Sequence, residues 1–127
     1  MVNVNTKLRK ILIVDNDDYI IFFLKKILEQ YSYDIMRAST GEEAISIARK
    51  YHPDLIILDI MMSGMHGFSV CHIIKNDAKL SQTKILMLSA KSFDADKRKA
   101  LEAGADAYMT KPFDLNEVAA KVEELLS

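Results

Sequence analysis

The sequence predicts an α/β domain in which five short strands alternate strictly with five helices, so that the strands form a parallel sheet covered on both faces. Two observations carry that expectation. The stretch Pro53, Asp54, Leu55, Ile56, Ile57, Leu58, Asp59 is a continuous aliphatic run with proline before it and Gly64 and Gly67 after it, the pattern of a strand buried on both faces. Similar runs, Ile11, Leu12, Ile13, Val14 and Lys84, Ile85, Leu86, Met87, Leu88, are separated from it by stretches whose apolar residues recur at helical spacing. Asp59 then falls at the carboxyl end of a central strand, where open α/β sheets place their ligand crevice, or else it caps the next turn.

In chain order, the first run stops on Asp15, Asn16, Asp17 and Asp18, and Asp17 or Asp18 suits the N-cap of the first helix. That helix carries Ile20, Phe23, Leu24, Ile27 and Leu28 inward, which at about 100° per residue leaves Phe22 nearly opposite and Ile21 to one side. Residues 34–38 read as a weaker strand. Thr40, three residues before Glu43, is a capping sequence for a helix with Ala44, Ile45 and Ala48 inward. After Asp59 the loop 61–67 leads into a helix with Phe68, Val70, Cys71 and Ile74. The run from Lys84 ends on Ser89 and Ala90, and residues 95–103 form a helix closed by Gly104. Residues 107–110 make the fifth strand, stopping at Lys111 and Pro112, and Asp114 caps a last helix with Leu115, Val118, Val122 and Leu125.

Length and composition bound the function. The 127 residues suit one domain, spanning the whole chain, that buries about two-thirds of its unfolded surface. Seventeen basic residues against eighteen acidic ones leave no global field to attract nucleic acid or an anionic membrane, so neither is expected as a direct partner. One cysteine, Cys71, excludes an intrachain disulfide, no apolar run approaches the roughly 20 residues of a membrane span, and residues 1–6 lack the apolar core of a signal peptide. A reducing cytoplasm is the expected location.

The chemistry follows from what ends each strand. In a parallel sheet all carboxyl ends lie along one edge, so Asp15, Asn16, Asp59, Ser89 and Lys111 can converge although scattered in sequence. Carboxylates held close together repel unless a cation sits between them. Oxygen-only ligands in a water-accessible cleft favour Mg²⁺, which leaves a position for a phosphate oxygen. A hydroxyl and an ammonium on flanking strands supply the donor and counter-charge a phosphoryl group needs, and an Asp carboxylate can attack phosphorus to form an aspartyl phosphate.

These residues carry a resemblance. ILIVDND, PDLIILDIMM, LMLSA and YMTKPF, in this order and spacing, resemble the receiver domain of two-component response regulators, of the single-domain chemotaxis-regulator type, over residues 9–126. The resemblance implies a flavodoxin-like doubly wound sheet of strand order 2-1-3-4-5. It implies Asp59 as phosphoacceptor, Ser89 as switch hydroxyl, Lys111 as phosphate-pairing lysine and Tyr108 as switch aromatic. It also implies a Mg²⁺ site from Asp15, Asn16, Asp59 and the Met61 carbonyl, and a cis Lys111–Pro112 bond. Partners would be a histidine kinase or phosphotransfer protein and a downstream protein target. With the fifth helix ending at Ser127, output by protein contact is expected unless the chain is a segment of a longer regulator.

Three departures from the family pattern matter. Asn16 stands where a second acid is usual, Ser63 where proline is usual and His66 where aspartate is usual. The missing charge predicts Mg²⁺ affinity at least about tenfold weaker, ~1.4 kcal/mol, than in a receiver with both acids. Asp17 either shifts to compensate or caps the helix. Met61, Met62 and Met65 are read as gap fillers, Cys71 as an inert core thiol, His66 as a solvated loop residue, and Met61 and Lys91 as positions where the family tunes phosphoryl lifetime. Tyr19, Ile21 and Phe22 form a candidate docking surface for a kinase or phosphotransfer helix bundle.

Two other functions compete. Asp15, Asn16, Asp17 also fits the D-x-D pattern of haloacid-dehalogenase-like phosphohydrolases, but no later strand ends in an acidic pair and Asp59 would have no purpose. A receiver-like module that signals by binding alone is the other, with Asn16 crippling the metal site. A phosphoreceiver labelled about once, rather than a turnover enzyme, is the expectation.

Overall fold

The computed structural model describes residues 8–61, 66–90 and 94–127. Ten elements alternate: β1 (Lys10–Val14), α1 (Asp18–Glu29), β2 (Asp34–Ala38), α2 (Gly41–Tyr51), β3 (Leu55–Asp59), α3 (Gly67–Asn76), β4 (Lys84–Ser89), α4 (Asp94–Glu102), β5 (Ala107–Thr110) and α5 (Leu115–Leu126). The strands form one sheet in the order β2-β1-β3-β4-β5 with every pairing parallel, which is the expected architecture.

Because successive strand residues face opposite sides, each buried run feeds two cores. Ile11, Ile13, Leu55, Ile57, Leu86 and Leu88 pack against α1 and α5 on one face. Leu12, Val14, Ile56, Leu58, Ile85 and Met87 pack on the other against α2 and α3, with α4 adding Ala100. β3 is buried throughout, which is why its run carries no polar alternation.

Local chemistry sets the boundaries. Asp17 is the N-cap of α1, its Oδ1 accepting the Tyr19 N–H at 2.9 Å, and Asp114 caps α5 by accepting the Asn116 N–H at 2.7 Å. Thr40 Oγ1 accepts the Glu43 N–H at 3.1 Å while Glu43 Oε1 accepts the Ser39 N–H at 3.2 Å, so both side chains hold the start of α2. Gly104 closes α4 with φ +105°, and Lys111–Pro112 is cis.

The inward face of α1 corrects the sequence reading. Ile21, Leu24 and Leu28 are the buried residues; Ile21 is 1% exposed, whereas Phe23, expected inside, is 49% exposed. Residues 19–24 are apolar on every side of the helix, so the periodicity admits two faces, and contact with the cluster holding Val118 and Val122 of α5 selects between them. Ile21 therefore belongs to the core and not to a docking surface.

Candidate functional site

The parallel sheet brings the predicted strand-end residues to one edge. Asp15 follows β1, Asp59 ends β3, Ser89 ends β4 and Lys111 follows β5. All three of Asp15, Asp59 and Ser89 are buried, at 2%, 4% and 1% exposure. Lys111 Nζ lies 3.1 Å from Asp15 Oδ2 and 3.3 Å from Asp59 Oδ1, so one ammonium bridges both carboxylates. Its own N–H donates to the Ser89 carbonyl at 2.6 Å, tying the lysine's backbone to the end of β4.

Backbone contacts hold the acids in place. The Asp15 N–H donates to the Ala38 carbonyl at 3.1 Å, and Asp15 Oδ1 accepts the Asp17 N–H at 2.9 Å. The Met61 N–H donates to the Asp59 carboxylate. Gly67, the first residue of α3, packs so close to β3 that a Cβ there would stand 2.8 Å from the Asp59 carbonyl oxygen and 2.7 Å from Ile60 Cα.

One ammonium does not balance two buried carboxylates. Burial, and then the charge of Asp15, raise the Asp59 carboxyl above its ordinary range, against the opposing pull of Lys111 and the Met61 N–H. For Lys111, burial pulls downward, but Asp59 and Asp15 outweigh it and hold the ammonium above its ordinary value. The site thus carries an uncompensated negative charge, a setting that favours a further cation.

The remaining predicted residues divide. Asn16 is exposed, and its side chain has no protein partner among the described residues. Asp17 is committed to capping α1, so it does not supply the missing charge. Met61 is half-exposed beside Asp59. Tyr108 is half-buried in β5, packed against the core on the α2–α4 side of the sheet. His66 is exposed at the N-cap of α3, makes no side-chain capping bond and stacks on Phe68 at 5.7 Å. With Ile60, Met61, Phe68, Ser89 and Lys99 it lines a cavity of about 450 Å³ beside the site. Cys71 is buried, and burial pushes its thiol up to about 11, as an inert thiol requires. Met62, Ser63, Gly64, Met65 and Lys91 lie outside the described residues.

Tyr19 and Phe22 are 77% and 52% exposed, as a contact surface requires. Sequence reasoning missed their neighbour: a groove of about 490 Å³ lined by Ile20, Phe23, Lys111, Pro112, Phe113 and Leu115. Phe113 directly after Pro112 was its one visible signal.

A doubly wound sheet of order 2-1-3-4-5 with an acid pair, a hydroxyl and a lysine at its carboxyl edge is the flavodoxin-like fold in its chemotaxis-regulator form. Residues 11–123 match the family described as response regulator receiver domain, and the chain belongs to that family. It is 44% identical over 118 residues to the alkaline phosphatase synthesis transcriptional regulatory protein PhoP of Bacillus subtilis, covering 93% of this chain and 48% of PhoP. It is 38% identical to the DNA-binding dual master transcriptional regulator RpaA of Synechocystis, covering 92% of this chain and 48% of RpaA. The chain thus spans about half the length of these curated relatives. Among solved structures, chemotaxis response regulator CheY4 of Vibrio cholerae superposes with a TM-score of 0.89 at 28% identity, over 94% of this chain and 100% of CheY4.

Proposed function

We propose that this chain is a working phosphoacceptor: Asp59 takes a phosphoryl group from a phosphohistidine on a kinase or phosphotransfer protein, and the modified domain presents a changed surface to a partner. The observation that carries this reading is Lys111 Nζ within 3.3 Å of both buried carboxylates, the arrangement that pairs with a phosphoryl oxygen once Asp59 is modified. An Asp59 oxygen attacks phosphorus, the P–N bond to the donor imidazole breaks, and the imidazole nitrogen keeps the electron pair. Receiver domains generally bind Mg²⁺. Here Asp15, Asp59, the Asn16 amide oxygen and the Met61 carbonyl would hold it, an all-oxygen set that fits a hard cation but contributes two carboxylates. When bound, the ion neutralises charge on the transferring phosphoryl oxygens.

The acyl phosphate carries roughly 1.5 to 2 negative charges at a buried site where the Asp59 carboxylate carried one. The Ser89 hydroxyl moves to donate to a phosphoryl oxygen, Tyr108 fills the space it leaves, and the surface of α4, β5 and α5 changes. Tyr19 and Phe22, with the exposed Phe23 and the groove against Pro112 and Phe113, form the donor's docking surface, since Lys111 of the site also lines that groove. Such a domain is labelled about once per cycle in the cytoplasm and is not a turnover enzyme. The names of the relatives favour transcriptional control as the process served, through sequence beyond the matched receiver. Asn16 favours one second reading, a module that signals by binding alone.

Intact-mass measurement after incubation with acetyl phosphate, with and without Mg²⁺, separates the two. A Mg²⁺-dependent gain of about 80 Da, absent in Asp59→Asn, supports the phosphoacceptor. No adduct under conditions that label a control receiver supports the binding module. Phe22→Ala should slow transfer from the cognate kinase and leave acetyl phosphate labelling intact; equal slowing of both would remove the docking assignment.

A further inference from the structure

The sheet edge opposite the carboxylate site holds a second concave, charged region. Arg9 precedes β1, Asp54 precedes β3 and Lys84 opens β4. The Asp54 N–H donates to the Lys10 carbonyl at 2.8 Å and the Lys84 N–H to the Asp54 carbonyl at 3.0 Å, so these strand starts lie side by side. Arg9, His52, Asp54, Lys79, Gln82, Lys84 and Ser127 line a cavity of about 430 Å³ there. A second cavity of similar size, lined by Arg49 and Asp77, shares His52 and Lys79 with it.

Arg9, Lys79 and Lys84 outnumber the one acidic side chain that lines this cleft, Asp54. Asp54 keeps its charge while its Oδ2 accepts the Lys10 N–H at 2.8 Å. Asp77 Oδ1 accepts the Lys79 N–H at 2.9 Å, and its Oδ2 lies 3.5 Å from Arg49. Among the described residues, Arg9, Lys79 and Lys84 make no ion pair. Complementing a helix dipole accounts for Arg49 and Lys50 in the last turn of α2, but that effect fades within a turn of the helix end. It does not account for Arg9 and Lys84 at strand starts. Three exposed cations against one acidic side chain leave the concavity with a net positive charge, which favours an anion.

We propose that this cleft binds a small polyphosphorylated anion of the pyrophosphate or nucleoside polyphosphate class. Two strand spacings, about 10 Å, separate the starts of β1 and β4, so linked phosphoryl groups reach Arg9 and Lys84 together more readily than a single phosphate does. The volume suits a small molecule. Leu125 and Leu126 of α5 and Pro53 add an apolar wall on which a nucleoside could rest. A nucleic-acid duplex or a membrane engages a much wider basic surface than the three cations of this small hollow supply. The site is independent of the Asp59 chemistry.

The test is titration of the ¹⁵N-labelled full chain, stripped of metal on a chelating resin, with inorganic pyrophosphate, inorganic triphosphate and then a nucleoside triphosphate. Saturable amide shifts should centre on Arg9, Lys79, Gln82 and Lys84, with a Kd at or below about 1 mM in ~0.15 M salt. Lys79→Glu with Lys84→Glu should weaken binding at least about tenfold, which is ~1.4 kcal/mol, and Asp59→Asn should leave it unchanged. Should the double variant lose native amide dispersion, Arg9→Gln, outside the strands, takes its place. Tighter binding of the nucleoside triphosphate than of inorganic triphosphate assigns the apolar wall to the nucleoside; equal binding of those two assigns the site to the phosphoryl groups alone. Shifts confined to Asp59 and Lys111, shifts that never saturate, or displacement of pyrophosphate by a DNA duplex or anionic vesicles at lower concentration would overturn the proposal.

Discussion

Replacing Gly67 by alanine links the fold to the site most directly. The added Cβ would stand 2.7 Å from Ile60 Cα and 2.8 Å from the Asp59 carbonyl oxygen, where ordinary contact begins near 3.4 Å. Both neighbours are backbone, so no rotamer change relieves the overlap; either α3 lifts from the sheet or the end of β3 moves. Forcing a methyl into such a contact costs about 1–3 kcal/mol. For a domain of this length that is roughly 3–5 °C of Tm per kcal/mol. The same displacement carries the Asp59 carboxylate away from Lys111, and misplacing a reacting group by a fraction of an ångström slows reaction about tenfold or more. Urea denaturation read by circular dichroism, together with the rate of acetyl phosphate labelling, measures both effects, with Ser69→Ala on an exposed position of α3 as control. A Gly67→Ala protein with the wild-type urea midpoint and labelling rate would refute the reasoning.

Three further outcomes follow from the same geometry. Asn16→Asp should tighten Mg²⁺ binding about tenfold, ~1.4 kcal/mol, by isothermal calorimetry; unchanged affinity would mean that residue 16 does not reach the ion. In metal-free protein, carboxyl NMR should place the Asp59 pKa above its ordinary 3.8, with Lys111→Met raising it further. A raised carboxyl makes its ionised form oppose folding, so Asp59→Asn should be more stable than wild type at neutral pH. That advantage should vanish as the pH falls below the unfolded value, where wild type is protonated in both states. Asp106→Ala removes the acceptor of the Ile85 N–H (2.8 Å) and the partner of Lys75 (2.8 Å); it should cost about 1–3 kcal/mol in urea melts without altering labelling.

How much of this was legible in the sequence depends on what decides each feature. The strands were legible because runs such as Ile11 to Val14 and Leu55 to Leu58 are too apolar and too short for any other role. The convergence of Asp15, Asp59, Ser89 and Lys111 was legible for a topological reason: parallel strands put every carboxyl end on one edge, whatever lies between them. Strand order was not legible from alternation alone and came with the family motifs. The buried face of α1 was not legible either, because residues 19–24 are apolar all round and packing against α5 makes the choice, moving Ile21 inward and Phe23 out. The basic cleft was the least visible feature. Arg9, Lys79 and Lys84 share no motif, and only the register that sets β1, β3 and β4 side by side brings them together. Topology therefore transmits chemistry from sequence to site where residues end strands in a known direction. Where the outcome turns on which helix face packs, or on which strand starts are neighbours, the information lies in contacts between distant residues that no local pattern records.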